Sequence, residues 1–384
     1  MRFLYTIGIY LADFHLRIFS HFNQKLKLGV DGRSESFQLL EASIGSGDKV
    51  IWFHCASLGE YEQGLPVFKE LRRQYPIHKV VLTFFSPSGY QIRKNTDIAD
   101  VVVYLPMDTK TNANRFLDLV RPEFTVFVKY DIWPNYLLEL KKRHLKAILI
   151  SAVFRKTQSY FKWYGGMMRQ ALSSFEFIFV QDKASQQLLK TIHFNNVSVV
   201  GDTRFDRVSD QLKENNSLSF IETFKQDKLC IVVGSSWPED EAFLIQFINQ
   251  HTSKNVKYII APHNIKTGQV KDLLAKLNPK TVLFSEKEGK DLSDYSVFII
   301  DTIGLLTKIY SYADIAYVGG AMGTTGLHNI LEPAVFGVPV IIGKNYHKFP
   351  EAQQMIEHAG VVSVSNYNEL YVTLKEWIDN DIKR

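Results

Sequence analysis

Residues 51–62 read Ile51-Trp52-Phe53-His54-Cys55-Ala56-Ser57-Leu58-Gly59-Glu60-Tyr61-Glu62. A continuous apolar run gives way to small residues and then to a helix start, the pattern of a buried strand turning into a helix. A strand apolar on both sides belongs in a parallel sheet covered by helices on each face. In open α/β sheets ligands bind outside the carboxyl ends of the strands, where loops and helix N-termini with unpaired N–H groups converge. Glu60 stands at such an end and is a candidate general base. Ser57 and Glu60 also have the Ser-x-x-Glu spacing of a capping box, in which the carboxylate serves only a backbone N–H. The sequence supports both readings.

Working outward, similar apolar runs at 50–54, 80–84, 101–104, 124–128, 147–151 and 177–180 alternate with helical patterns. A second series follows at 230–234, 256–261, 281–284, 297–300, 315–318 and 338–342. Alternation of this kind predicts an α/β chain with two Rossmann-like, doubly wound domains facing across a cleft. The 384 residues, 46% of them hydrophobic, can fill two cores. Between the series the chain turns polar, and 208–222 reads as a linker. The expected division is an N-terminal helix over 1–24, a first domain over 25–207, that linker, and a second domain over 223–384 whose last helix packs back on the first.

The net charge of +5 is a modest excess that suits an anionic substrate or membrane leaflet and is too small to imply nucleic acid. Two cysteines, Cys55 and Cys230, sit among apolar neighbours with no metal-ligand spacing, which fits a reducing compartment and no metal. At the N-terminus ten residues from Phe3 to Ala12 carry no charge before Asp13 and Arg17 interrupt, short of the roughly 20 needed to span a bilayer. Phe3, Ile7, Leu11, Phe14 and Ile18 recur at helical spacing, followed by Arg17, Lys25, Lys27 and Arg33. This reads either as an interfacial anchor or as a helix docked on the core.

Further along, Val318-Gly319-Gly320-Ala321-Met322-Gly323-Thr324-Thr325-Gly326-Leu327-His328-Asn329-Ile330-Leu331-Glu332-Pro333 runs from a strand through a glycine-rich loop to a helix start. Such loops let N–H groups approach a phosphate, while Asn329 and Glu332 also have cap spacing. Gly234-Ser235-Ser236, Ala261-Pro262-His263-Asn264 and Asp301-Thr302-Ile303-Gly304-Leu305 are strand-to-helix turns on the same sheet edge. In the first half, Ser86-Pro87 reads as a helix start, and Lys129-Tyr130-Asp131-Ile132-Trp133-Pro134-Asn135 puts Asp131 at a strand end, as a functional carboxylate or a helix-entry cap. Arg204, in Gly201-Asp202-Thr203-Arg204-Phe205-Asp206, could reach an anion or form an ion pair.

In their order and spacing, His-x-Ala-Ser-Leu-Gly-Glu, Asp-Ile-Trp-Pro-Asn, Gly-Asp-Thr-Arg-Phe-Asp and Gly-Leu-His-Asn-Ile-Leu-Glu-Pro resemble the 3-deoxy-D-manno-octulosonic acid (Kdo) transferase family over nearly the whole chain. The resemblance implies the GT-B glycosyltransferase fold, with the acceptor on the first domain and CMP-Kdo on the second. It implies inverting transfer of Kdo to the lipid A precursor in lipopolysaccharide biosynthesis, at the cytoplasmic face of the inner membrane and without a metal or other cofactor. Glu60 would be the proton acceptor, with Asp131 and Arg204 stabilising the transition state. Pro262, His263, Ile303, Gly304, Leu305, Asn329, Ile330, Leu331 and Glu332 would hold the nucleotide. The chain departs from the family at Lys129, where Glu is frequent, at Arg204, where Lys is, at His263, where Arg is, and at Leu305, where Glu is. Another GT-B transferase with a lipid acceptor, or a silent membrane-associated sugar-nucleotide binding protein, are the competing readings.

Overall fold

The computed structural model describes residues 2–251 and 253–384, and the chain divides after Arg207 into two compact units. The first holds β1 (Val50–Cys55), β2 (Lys79–Phe84), β3 (Val101–Tyr104), β4 (Pro122–Val128), β5 (Lys146–Ala152), β6 (Phe177–Val180) and β7 (Val197–Val199). They form one sheet in the order β3-β2-β1-β4-β5-β6-β7, with every pair parallel. Every residue of β1 is buried, as a strand covered on both faces must be. Chain order reverses at β1, which has β2 on one side and β4 on the other. The crevice above the ends of β1 and β4 is therefore the switch point of this sheet.

The second unit repeats the plan with β8 (Leu229–Ser236), β9 (Val256–Pro262), β10 (Thr281–Leu283), β11 (Val297–Ile299), β12 (Ile315–Val318), β13 (Val340–Gly343) and β14 (Val361–Val364). Its order is β10-β11-β9-β8-β12-β13-β14, again all parallel. Here the reversal falls at β8, between β9 and β12. The sequence reading missed β7 and β14, edge strands of three and four residues whose apolar runs are broken by Ser198 and Ser363. The two doubly wound domains expected of a GT-B chain are both present.

Segment 208–222, read from its polar residues as a linker, is folded onto the second unit. Val208 and Ile221 enter that unit's core, Leu218 and Phe220 pack against it, and the Leu218 amide donates to the Tyr312 hydroxyl at 2.6 Å. The apolar anchors are spaced too widely among polar neighbours to register as a period. The last helix, Tyr367–Asp379, lays Leu370, Leu374 and Trp377 into the core of the second unit.

At the N-terminus, helix Arg2–Ser20 is followed by Gln24–Ser43, which Asn23 caps through its side chain. The stripe of Phe3, Ile7, Leu11, Phe14 and Ile18 faces solvent, with Leu4, Phe19 and Phe22 beside it. The other side is tied down: the Tyr5 hydroxyl donates to Asp108 Oδ2 at 2.6 Å. Among the described residues no helix is long and apolar enough to cross a membrane. Of the expected basic group, Arg33 is withdrawn from the surface. It donates to the carbonyls of Gly29 and Phe85 and lies over the Phe85 ring at 4.3 Å, because burial of a guanidinium demands such partners.

Candidate functional site

Glu60 sits in the first turn of helix Leu58–Gln74, immediately above β1. It does cap: Oε2 accepts from the Ser57 amide at 2.8 Å and from the Ser57 hydroxyl at 3.1 Å. That occupies one carboxylate oxygen, and Oε1 has no hydrogen-bond partner among the described residues. The cap and base readings are therefore compatible, one to each oxygen. Burial raises the Glu60 carboxyl above the usual range and the nearby Asp131 charge adds to it, while Ser57, His54 and Lys129 pull it back.

Asp131 follows β4 on a turn begun by Lys129, whose φ of 69° lies in the left-handed region. A β-free conformation at a strand end is the kind of strain found beside sites. Asp131 is not the cap of helix Pro134–Lys142. That task falls to Asp108, which accepts from the amides of Asn135 and Tyr136, each at 3.1 Å. Asp131 Oδ2 instead faces His54 Nε2, with Trp133 Nε1 3.0 Å away. Behind His54, Thr83 Oγ1 lies 2.7 Å from Nδ1 and accepts from Trp52 Nε1 at 2.8 Å. Burial lowers the Lys129 ammonium and Arg204 lowers it further, while Glu60 and Asp202 raise it.

Arg204, in helix Thr203–Asp210, forms the ion pair that was its alternative reading. Its Nε donates to Asp202 Oδ2 at 2.7 Å and its backbone amide to Oδ1 at 2.9 Å. The guanidinium remains partly exposed. Glu60, His54, Asp131 and Lys129 thus gather at the first switch point, with Arg204 close enough to perturb Lys129. His54 escaped the sequence reading. A signal was there: a polar residue in a wholly buried strand, in register with Thr83, the buried polar residue of β2.

In the second unit the glycine-rich loop leaves β12 beside β8. Asp240, almost fully buried, accepts from the amides of Gly320 and Trp237, each at 2.9 Å, and from the Tyr317 hydroxyl at 2.8 Å. Gly320 has φ of +95°, and a Cβ there would meet the Gly326 carbonyl at 2.1 Å. The glycines expected to bring N–H groups to a phosphate are thus first required by the loop's own packing, and the Gly320 N–H is already used. Trp237 stacks on His263 with centroids 4.5 Å apart and donates from Nε1 to His328 Nε2 at 3.1 Å. Burial and the neighbouring His263 push His328 down to about 4, so its ring is neutral and accepts at Nε2.

Pro262 ends β9, and His263 beyond it donates its amide to the Ser236 carbonyl at 2.9 Å. Ile303 is 82% exposed, Gly304 has φ of +89°, and Leu305 precedes the single turn Leu306–Ile309. Asn329 and Glu332 do not form the expected cap and third-position pair. Helix Leu331–Ala334 is one turn long, Asn329 Oδ1 accepts from the Leu331 amide at 3.2 Å, and Asn329 Nδ2 donates to Glu332 Oε1 at 3.1 Å. Ile330 and Leu331 bury their side chains in the core, which leaves only their backbones to a ligand. Trp237 and His328, unassigned from sequence, stand among these positions.

Residues 31–207 match the family described as 3-deoxy-D-manno-octulosonic-acid transferase (kdotransferase). The 3-deoxy-D-manno-octulosonic acid transferase of Aquifex aeolicus is 28% identical over 332 residues, covering 85% of each chain. That of Haemophilus influenzae is 29% identical over 335 residues, 82% of this chain and 76% of the relative. Among solved structures, UDP-GlcNAc 2-epimerase from Neisseria meningitidis bound to UDP-GlcNAc aligns with a TM-score of 0.60 at 16% identity, over 87% of this chain and 92% of that one. The last likeness is one of fold alone.

Proposed function

The chain belongs to the 3-deoxy-D-manno-octulosonic acid transferase family, and from that premise we propose that it transfers Kdo from CMP-Kdo to a hydroxyl of the lipid A precursor, with inversion at the anomeric carbon. The acceptor binds the first unit and the nucleotide the second. One observation carries the reading: Glu60, at the switch point of the first sheet, has one oxygen held by Ser57 and the other without a hydrogen-bond partner among the described residues, in a carboxyl that burial and the Asp131 charge raise. Glu60 Oε1 removes the proton of the acceptor hydroxyl as its oxygen attacks. A carboxyl raised by burial is better matched to that task than an ordinary surface one. Asp131 stabilises positive charge growing on the sugar ring, and Arg204 offers its exposed edge to the donor's carboxylate or the departing phosphate.

The leaving group is a monophosphate, so side-chain and backbone donors suffice and no divalent ion is required; EDTA is expected to leave turnover unchanged. The exposed apolar face of helix Arg2–Ser20 supports seating on the cytoplasmic leaflet, where a lipid acceptor is available. The deciding experiment incubates the full chain with CMP-Kdo and lipid A precursor and follows CMP release and product mass. Acceptor heavier by whole Kdo residues, with CMP in equal amount, is the expected result. Release of CMP without acceptor modification, or binding without release, would overturn the reading in favour of another acceptor or a silent binding protein.

A further inference from the structure

His54 is fully buried, yet both of its ring nitrogens face polar partners, and none of the steps above uses it. Its hydrogen bonds can be assigned by counting protons. The Trp133 indole N–H only donates, and it lies 2.9 Å from His54 Nε2 and 3.0 Å from Asp131 Oδ2. A ring nitrogen facing a carboxylate oxygen carries the proton between them, so Nε2–H donates to Oδ2 and the carboxylate is left as the indole's acceptor. On the other side Thr83 Oγ1 accepts from Trp52 and either takes a proton from Nδ1 or gives it one, with the Phe53 carbonyl 3.3 Å away as its other acceptor. In both assignments Nε2 keeps its proton and donates it to Asp131 Oδ2.

Oδ2 of Asp131 therefore receives two donors from rigid aromatic rings, while Oδ1 has no hydrogen-bond partner among the described residues and the side chain is 15% exposed. We propose that His54 is a positioning residue: backed by Thr83 and Trp52, it fixes Asp131 through Oδ2 and presents Oδ1 to the reacting sugar. The proposal rests on the transition-state role given to Asp131 above. Without His54 and Trp133, a carboxylate two residues from Lys129 would be free to turn toward that ammonium, and it would have to reorganise during reaction. Preorganised partners remove that cost, and losing such an outer partner typically costs 10- to 100-fold. Phe127 and Trp133 wall the imidazole at 5.2 and 6.4 Å between centroids, which holds the ring plane.

The test is a double-mutant cycle on the full chain with kcat, KM for each substrate and the thermal transition recorded. His54→Gln keeps an N–H donor and is expected to lose about 10-fold in kcat with little change in either KM, and His54→Ala about 100-fold. In an Asp131→Asn background, His54→Gln is expected to cost nothing further. If the two losses multiply, or if His54→Gln raises KM at constant kcat, His54 does not act through Asp131. Should the His54 variants melt below the assay temperature, Trp133→Phe, which removes only the indole donor, runs the same cycle and decides in the same way. Near-native turnover by Asp131→Asn alone is a separate result: it removes the role of Asp131 and the proposal with it.

Discussion

Glu60 shows why a single residue resisted assignment from sequence. Capping and proton transfer both ask for a carboxylate three residues after a serine, and only the disposition of its two oxygens separates them. Glu60→Gln keeps an acceptor for Ser57 and the side-chain shape but removes the basic oxygen. Turnover is expected to fall 10²- to 10⁴-fold, as for loss of a general base. The sign of the stability effect is opposite. A carboxyl raised above its unfolded value binds its proton more tightly in the folded state, so its contribution to stability is present at low pH and declines as pH rises through the raised value. At neutral pH the Gln variant should thus melt no lower than the parent while being nearly inactive. In the parent, kcat/KM should fall on acidification at a pH above the ordinary glutamate range. Near-native turnover by Glu60→Gln would reduce Glu60 to a cap.

Among elements, strands with uninterrupted apolar runs were legible, because burial on both faces selects apolar side chains; residues 50–53 of β1, 126–128 of β4 and 230–233 of β8 illustrate this, and His54 stands out in β1 as the polar exception. What could not be read was which distant residue serves which helix end. Asp131 looked like the entry cap of helix Pro134–Lys142, yet Asp108, brought in from beyond β3, supplies both acceptors and also receives the Tyr5 hydroxyl. Bonds across that much sequence leave no local spacing to find. Asp108→Ala strips two helix amides and a phenol of their acceptor. A cap is worth about 1–2 kcal/mol, which for a domain of this size lowers Tm by roughly 2–8 °C. Tyr5→Phe should reproduce only the smaller part. If Asp108→Ala melts like the parent, the cap is dispensable and Asp131 regains its claim to it.

For the whole molecule, the N-terminal helix carries an expectation that size alone could not decide, since an apolar stripe serves a core as readily as a membrane. Here the stripe is exposed and the polar Tyr5 makes the tie to the domain, the reverse of a docked amphipathic helix. Interfacial binding draws on apolar area plus attraction to anionic headgroups, so it should weaken both with loss of apolar side chains and with salt. Truncation would also delete the Tyr5 contact and confuse anchoring with folding. Replacing Leu11, Phe14 and Phe19 by Gln keeps the helix, Tyr5 and the charge. Each side chain is worth on the order of 1.5 kcal/mol when buried in lipid, so partitioning to anionic vesicles should drop about 10³-fold or more. The thermal transition and CMP affinity should stay as in the parent. Cosedimentation unchanged by the triple substitution would place the attachment elsewhere, whereas a lowered thermal transition would return the stripe to the core.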